Sequence, residues 1–284
     1  MEHFSQSSVK ELLNKHDIKS LKQLGQNFLI DAGIQEKIVR QSGLDNKCGV
    51  LEVGPGLGAL TTVLCRTVGH VTAVEIDKRL LPLLNDILSG CTNIDVIQGD
   101  ILKLDLNELV ASKMSGFSHH VCANLPYNIT SPALAAFIDS DIFETITVMI
   151  QKEVAERICA RPGTSEYGAF TVFVNYYTSP RHLFDVPPEC FYPRPAVTSS
   201  VISLEKLKER PLSRADEKRL FHVVRAAFSQ RRKTLVNALY ASFGSSISKD
   251  EISDIVNSCG HDVRIRGERL NIEEFVKLSA FFPS

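Results

Sequence analysis

Four consecutive residues, Asn124-Leu125-Pro126-Tyr127, place a side-chain amide, a constrained backbone carbonyl and an aromatic ring at the end of an apolar run. Such a set suits group transfer to the exocyclic amine of a planar base. That amine's lone pair is delocalised into the ring, which makes it a poor nucleophile. Two acceptors aimed at its hydrogens favour a pyramidal nitrogen whose lone pair points at a donor. The Asn124 side-chain oxygen and the Leu125 carbonyl are the candidate acceptors. Pro126 restricts Leu125 to an extended conformation and holds that carbonyl in place. Tyr127 offers a face for the base to stack on. No general base is required, because the alkylated nitrogen becomes cationic and loses its proton to water. Alone, Asn-x-Pro-Tyr reads as an ordinary turn; its place after a second constellation argues for chemistry.

That second constellation is Glu52-Val53-Gly54-Pro55-Gly56-Leu57-Gly58, which closes one apolar run and opens a helical pattern. Gly54 and Gly56 permit a tight turn and close backbone approach to a ligand. Glu75 ends the next run, 21 residues after Gly54, where an acid can accept hydrogen bonds from both ribose hydroxyls. Asp100 follows a third run and suits an adenine amino group. Gly54-x-Gly56-x-x-Ala59 also satisfies the dinucleotide fingerprint, so an NAD-linked oxidoreductase competes. Asp100 and the Asn124–Tyr127 turn, which hydride transfer does not need, count against it.

The elements that must position these groups alternate. Cys48–Val53, Val71–Ile76, Ile94–Ile97, His120–Ala123 and Ile146–Ile150 predict buried strands; Leu57–Val68, Arg79–Leu88 and Pro132–Ile138 predict helices between them. This pattern implies an α/β fold with a mostly parallel sheet covered on both faces. Ala169–Tyr177 and Thr198–Leu204, separated by the proline-rich stretch 187–195, predict a hairpin-type edge. Residues 205–219, with Pro211, read as a linker. Beyond it, Leu220, Val223, Val224, Ala227 and Phe228 follow helical spacing until Ser229-Gln230, and Ile252–Val256 and Ile272–Leu278 predict further helices. The expected division is a catalytic domain over 1–209 and a small all-helical domain over 210–284.

Composition bounds the setting. A 44% hydrophobic, 23% charged chain of 284 residues is an ordinary globular protein, and no apolar run approaches the roughly 20 residues that span a bilayer. The first 20 residues mix Lys10, Lys15 and Lys19 with Glu2, Glu11 and Asp17, unlike a signal or transit segment. Seven cysteines without a CxxC pair argue against a disulfide framework or zinc site and for a reducing cytoplasm. No metal and no membrane partner are expected. The net charge of −1 hides an asymmetry: residues 191–284 hold 16 Lys+Arg against 11 Asp+Glu, the remainder 16 against 22. From Lys218 through Lys249 there are seven basic residues and no acid, a surface suited to a polyanion or a solvated helix face. Arg225, Arg231, Arg232 and Lys233 are its candidate RNA-binding residues.

KQLGQNFLID, EVGPGLGALT, AVEID, QGD, NLPYNIT, QKEVAERICARPGTSEYGAF, FYPRPAVTSSV and AAFSQRRKTLVNAL occur in that order. Together they resemble the KsgA/RsmA family of bacterial small-subunit ribosomal RNA adenine dimethyltransferases, from about residue 20 to the C-terminus. The resemblance implies a Rossmann-like class I methyltransferase domain, a helical C-terminal domain and S-adenosylmethionine as cofactor. It implies dimethylation of two adjacent adenosines in the 3′-terminal hairpin loop of small-subunit (16S) rRNA, by a cytoplasmic monomer acting on a precursor of the 30S subunit and contributing to its biogenesis. The implied cofactor contacts are Asn27, Leu29, Gly54, Glu75, Asp100 and Asn124, with Gly56, Ile76 and Ile101 beside them, under a partly mobile LGQNFL lid. Erm-type enzymes, which methylate large-subunit (23S) rRNA, are close relatives; the QRRKTL and PGTSEYG stretches resemble the small-subunit enzymes more. A non-enzymatic ribosome-assembly factor is the alternative of a different class, and the intact Glu75 and Asn124–Tyr127 argue against it.

Overall fold

A computed structural model describes residues 6–15, 26–230 and 232–283. Helix α1 (Gln6–Lys15), strand β1 (Phe28–Leu29) and α2 (Ala32–Ser42) come first. An alternation follows: β2 (Cys48–Val53), α3 (Ala59–Thr67), β3 (His70–Glu75), α4 (Leu81–Ile87), β4 (Ile94–Gln98), α5 (Leu106–Lys113), β5 (Ser118–Asn124), α6 (Thr130–Ser140) and β6 (Thr145–Gln151). Next are α7 (Lys152–Ile158), α8 (Ala169–Tyr177), β7 (Thr178–Val186), β8 (Phe191–Tyr192) and β9 (Ser199–Lys206), then α9 (Arg214–Phe228), α10 (Leu235–Phe243), α11 (Lys249–Ser258) and α12 (Ile272–Ser279). Two compact units result, the first within Met1–Ala155 and Arg181–Lys206, the second within Glu156–Pro180 and Leu207–Ser284.

The first unit carries a sheet of order β4-β3-β2-β5-β6-β9-β7. The strands from β4 to β6 are parallel, and β9 runs antiparallel to β6. Every residue of β2 is buried, as a central parallel strand covered on both faces requires, and this explains a pattern that is apolar but for Glu52. The chain moves outward from β2 to β4, then returns to place β5 on the other side of β2. That reversal opens a crevice beyond the carboxyl ends of β2 and β5. A second, two-stranded sheet pairs β1 antiparallel with β8, setting Phe28 opposite Tyr192.

The second unit is helical. Leu220, Val223 and Val224 of α9, Leu235 and Leu239 of α10, Ile252 and Val256 of α11, and Phe275 and Leu278 of α12 form its buried core. One expectation fails here: Ala169–Tyr177 is a helix, not a strand. Val172 and Tyr176, four residues apart, are buried in that same core. Gly168 supplies an extended N-cap whose N–H donates to Thr171 Oγ1 at 3.1 Å, and Thr171 Oγ1 donates to the Arg157 carbonyl at 2.7 Å. The Tyr167 hydroxyl donates to the Leu270 carbonyl at 2.9 Å. Residues 156–180 therefore pack with the C-terminal helices, so the division differs from a single cut at 209/210. Glu205 and Lys206 of the expected linker belong to β9, and Ser213 caps α9 by accepting from the Asp216 N–H. Among the described residues no helix is long and apolar enough to cross a membrane.

Candidate active site

Parallel β2, β3, β4 and β5 bring their carboxyl ends to one edge of the sheet. The pocket there is lined by Asn27, Leu29, Gly54, Gly56, Glu75, Ile76, Asp100, Ile101, Asn124, Leu125, Pro126 and Tyr127. The structure thus gathers residues that the sequence scatters over a hundred positions.

The loop after β2 is tight. Gly54, Gly56 and Gly58 have φ of 66°, 59° and 76°, in the left-handed region that favours glycine. The Gly54 N–H donates to the Val74 carbonyl at 2.9 Å, tying the loop to β3. A Cβ on Gly56 would lie 2.9 Å from a Phe28 ring carbon, so that position admits no side chain. Glu75 holds the loop from the other side: Gly56 N–H donates to Glu75 Oε2 at 3.2 Å, and Asp77 N–H donates to Oε1 at 2.8 Å. Only 3% exposed, Glu75 has its carboxyl pushed above the ordinary carboxylate range by burial, which these backbone donors partly offset. Each of its oxygens keeps acceptor capacity for a ligand hydroxyl.

Ile76, expected inside the strand, lies just past it and is 50% exposed in the pocket lining; Leu102, in the loop after β4, also lines the pocket and is 41% exposed. Asp100 receives the Leu102 N–H on Oδ1 at 3.1 Å and pairs with Lys103 at 3.4 Å. Glycine backbone, a buried diol-type acceptor, an acid for an amino group and two exposed apolar side chains fit the adenosine part of S-adenosylmethionine.

Residues 26–29 form one wall. The Gln26 amide donates to Asp77 Oδ2 at 3.0 Å, and the buried Gln35 amide donates to the Leu29 carbonyl at 3.2 Å. Asp77 is kept below the ordinary carboxylate range chiefly by the Arg79 guanidinium, whose Nε donates to Oδ1 at 2.8 Å. From β5, Asn124 Nδ2 donates to the Asn27 carbonyl at 3.2 Å. Its Oδ1 has no hydrogen bond among the described residues. The Leu125 N–H donates to the Met149 carbonyl at 3.1 Å, continuing the sheet, while the Leu125 carbonyl accepts nothing among the described residues. Tyr127 opens a short 3-10 turn, and its hydroxyl is 2.7 Å from Ser199 Oγ. Burial pushes that phenol above its ordinary range.

Four contributors stand inside motifs quoted from the sequence but are given no individual role there. Gln26 and Asp77 are joined across 51 positions, Ser199 meets Tyr127 across 72, and Glu52 lines the pocket floor. Glu52 is 1% exposed, its Oε2 has no hydrogen-bond partner among the described residues, and burial pushes its carboxyl up to about 8. The basic candidates belong to the second unit. Arg225, Arg232 and Lys233 are exposed, and Arg231 lies outside the described residues. No cluster of His, Cys, Asp or Glu among the described residues could hold a metal ion, and all seven cysteines are free.

A glycine-lined pocket and the Asn124–Tyr127 turn share the carboxyl edge of the mostly parallel sheet, the arrangement of a Rossmann-like, S-adenosylmethionine-dependent methyltransferase. Comparison with known proteins narrows the class. The model of the family described as ribosomal RNA adenine dimethylase matches residues 18–269. The Ribosomal RNA small subunit methyltransferase A of Lachnoclostridium phytofermentans is 44% identical over 271 residues, 95% of this chain and 93% of that protein. Among solved structures, a dimethyladenosine transferase from Plasmodium falciparum superposes with a TM-score of 0.73 at 26% identity, covering 87% of this chain and 94% of that one. The 23S rRNA methyltransferase ErmE gives 0.69 at 25% identity, covering 89% and 98%. This chain belongs to the ribosomal RNA adenine dimethylase family. Its methyl source is S-adenosylmethionine, and the oxidoreductase reading is set aside.

Proposed function

We propose that this chain dimethylates N6 of two adjacent adenosines in the 3′-terminal hairpin loop of small-subunit rRNA, with Asn124, Leu125 and Tyr127 handling the base. The observation that carries the assignment of roles is the pair of unoccupied acceptors, Asn124 Oδ1 and the Leu125 carbonyl, on the pocket that Glu75 and the glycine loop line. S-adenosylmethionine supplies an electrophilic methyl group when bound. Glu75 would hold the ribose hydroxyls, Asp100 the adenine amine, and Gly54 and Gly56 the closely approached backbone.

The chain's own part is alignment. The Asn27 carbonyl accepts from Asn124 Nδ2, and this fixes the amide so that Oδ1, not the NH2 group, is turned to the substrate. In the first transfer Oδ1 and the Leu125 carbonyl each hold one N6 hydrogen and bring the lone pair out of conjugation; in the second, the single remaining N6 hydrogen is held by one of these two acceptors. Tyr127 sets the plane of the base by stacking, worth roughly 1–3 kcal/mol. The proton of the alkylated nitrogen leaves to water. Preorganised acceptors and a held base supply the rate, with no acid–base pair needed.

The helical unit supplies phosphate contacts through Arg225, Arg231, Arg232 and Lys233, which position the RNA without reading its sequence. An unpaired loop lowers the cost of bringing the adenine out of its stack. The substrate is a precursor of the 30S subunit, and the enzyme acts as a cytoplasmic monomer. The 44%-identical relative named for the small subunit favours this substrate over the large-subunit RNA of ErmE, at 25%. The test is transfer of tritiated methyl from S-adenosylmethionine to unmethylated small subunits and to large-subunit RNA, followed by mapping of the modified bases. Label on two adjacent small-subunit adenosines supports the proposal; label on large-subunit RNA, or on neither, overturns it.

A further inference from the structure

Ser199 is the first residue of β9, opposite Gln151 at the carboxyl end of β6. Because β9 runs antiparallel to β6, its start reaches the sheet edge where β5 ends in Asn124, itself opposite Met149 of β6. The Ser199 side chain is fully buried, and Oγ lies 2.7 Å from the Tyr127 hydroxyl. Neighbouring Ser200 faces the other way, its Oγ donating to Asp185 Oδ1 at 2.7 Å. Two serines in sequence thus have separate partners, and only Ser199 holds a residue that lines the pocket.

A ring used only as a stacking platform needs no hydroxyl, and a phenylalanine would serve. A buried hydroxyl, in contrast, costs free energy unless it is paired. Here the pairing ties the far end of the ring to the first residue of β9, a strand paired with β6, while the near end is fixed by the turn after Pro126. Ring tilt is the coordinate this restrains. It matters because N6 lies in the plane of the stacked base, and that plane must carry the amine hydrogens to Asn124 Oδ1 and the Leu125 carbonyl.

We infer that Ser199 is a positioning residue: its hydrogen bond to Tyr127 sets the ring plane and so the registry of the target amine with its two acceptors. The inference rests on Tyr127 being the stacking platform. Neither residue touches the cofactor side of the pocket through this bond, so the consequence falls on the transfer rate. RNA and cofactor affinity are left alone.

The test is a double-mutant cycle on single-turnover methyl transfer to unmethylated small subunits, using S199A, Y127F and the pair, with Y127A and S200A as references. Loss of one net hydrogen bond predicts a rate about three- to tenfold lower in S199A and in Y127F alike. The double variant falls no further than either single, since both delete the same interaction. S-adenosylhomocysteine affinity, subunit affinity and melting temperature stay at parental values, S200A keeps the parental rate, and Y127A loses more than Y127F. Parental rates in S199A and Y127F, with Y127A still impaired, overturn the tether and leave the stacking reading standing. Multiplying losses in the double variant, or a loss matched by a lower melting temperature, also overturn it. A parental rate in Y127A refutes the stacking reading itself, and the inference with it.

Discussion

Replacing Glu75 by Gln tests the floor of the cofactor site with little change of shape. The carboxylate receives Gly56 N–H on Oε2 at 3.2 Å and Asp77 N–H on Oε1 at 2.8 Å. A glutamine has one acceptor oxygen and one NH2 group, so one of these buried backbone donors is left facing another donor. The remaining oxygen is neutral and must serve both backbone and ribose. Loss of a charge-assisted bond, with one donor unpaired, costs roughly 1.5–3 kcal/mol. That is about a 10- to 150-fold rise in dissociation constant. Isothermal titration with S-adenosylhomocysteine reads this directly, and the same preparation gives small-subunit affinity, which should not change. A parental dissociation constant for the nucleoside ligand refutes the role of Glu75. A fall in both affinities with a collapsed melting transition means that Glu75 only braces the Gly54–Gly58 loop.

Glu52→Gln should stabilise the fold, increasingly so as pH rises. Burial pushes the Glu52 carboxyl from 4.5 to about 8, so between those values folding takes up a proton and stability falls by up to about 1.4 kcal/mol per pH unit. Below pH 4.5 both states are protonated and above about 8 both are ionised, so denaturation midpoints of parent and variant should diverge only inside that window; parallel curves would contradict the burial argument. For the basic face, Arg232→Ala with Lys233→Ala should weaken small-subunit binding and lower its salt slope by about one for each phosphate no longer neutralised, with S-adenosylhomocysteine affinity intact. An unchanged slope with a lowered melting temperature would remove these residues from the RNA surface.

The central strands and the pocket were legible because each was written locally. Fully buried parallel strands are mainly apolar runs ending at glycines or acids, as in Cys48–Val53, where Glu52 is the one charged residue, and the turn after β5 carries its chemistry in four adjacent residues. What escaped depended on contacts far apart in sequence. The segment AFTVFVNYY has the β-branched and aromatic composition of a strand, and only its burial against α9 and α12 selects a helix. β7, TSPRHLFDV, has mixed polarity because it is an edge strand beside β9. The Gln26–Asp77 and Tyr127–Ser199 contacts need the folded register, which no spacing rule supplies.

The most direct test is the single-turnover transfer rate of Asn124→Ala on unmethylated small subunits, with S-adenosylhomocysteine affinity measured alongside. Removing the Oδ1 acceptor from N6 should lower the rate by about 10²–10³ while the protein stays folded and still binds RNA. Because Asn124 Nδ2 also holds the Asn27 carbonyl, cofactor affinity should fall modestly, and saturating donor should not restore the rate. Near-parental transfer at saturating donor would contradict the claim that Asn124 prepares the amine for attack.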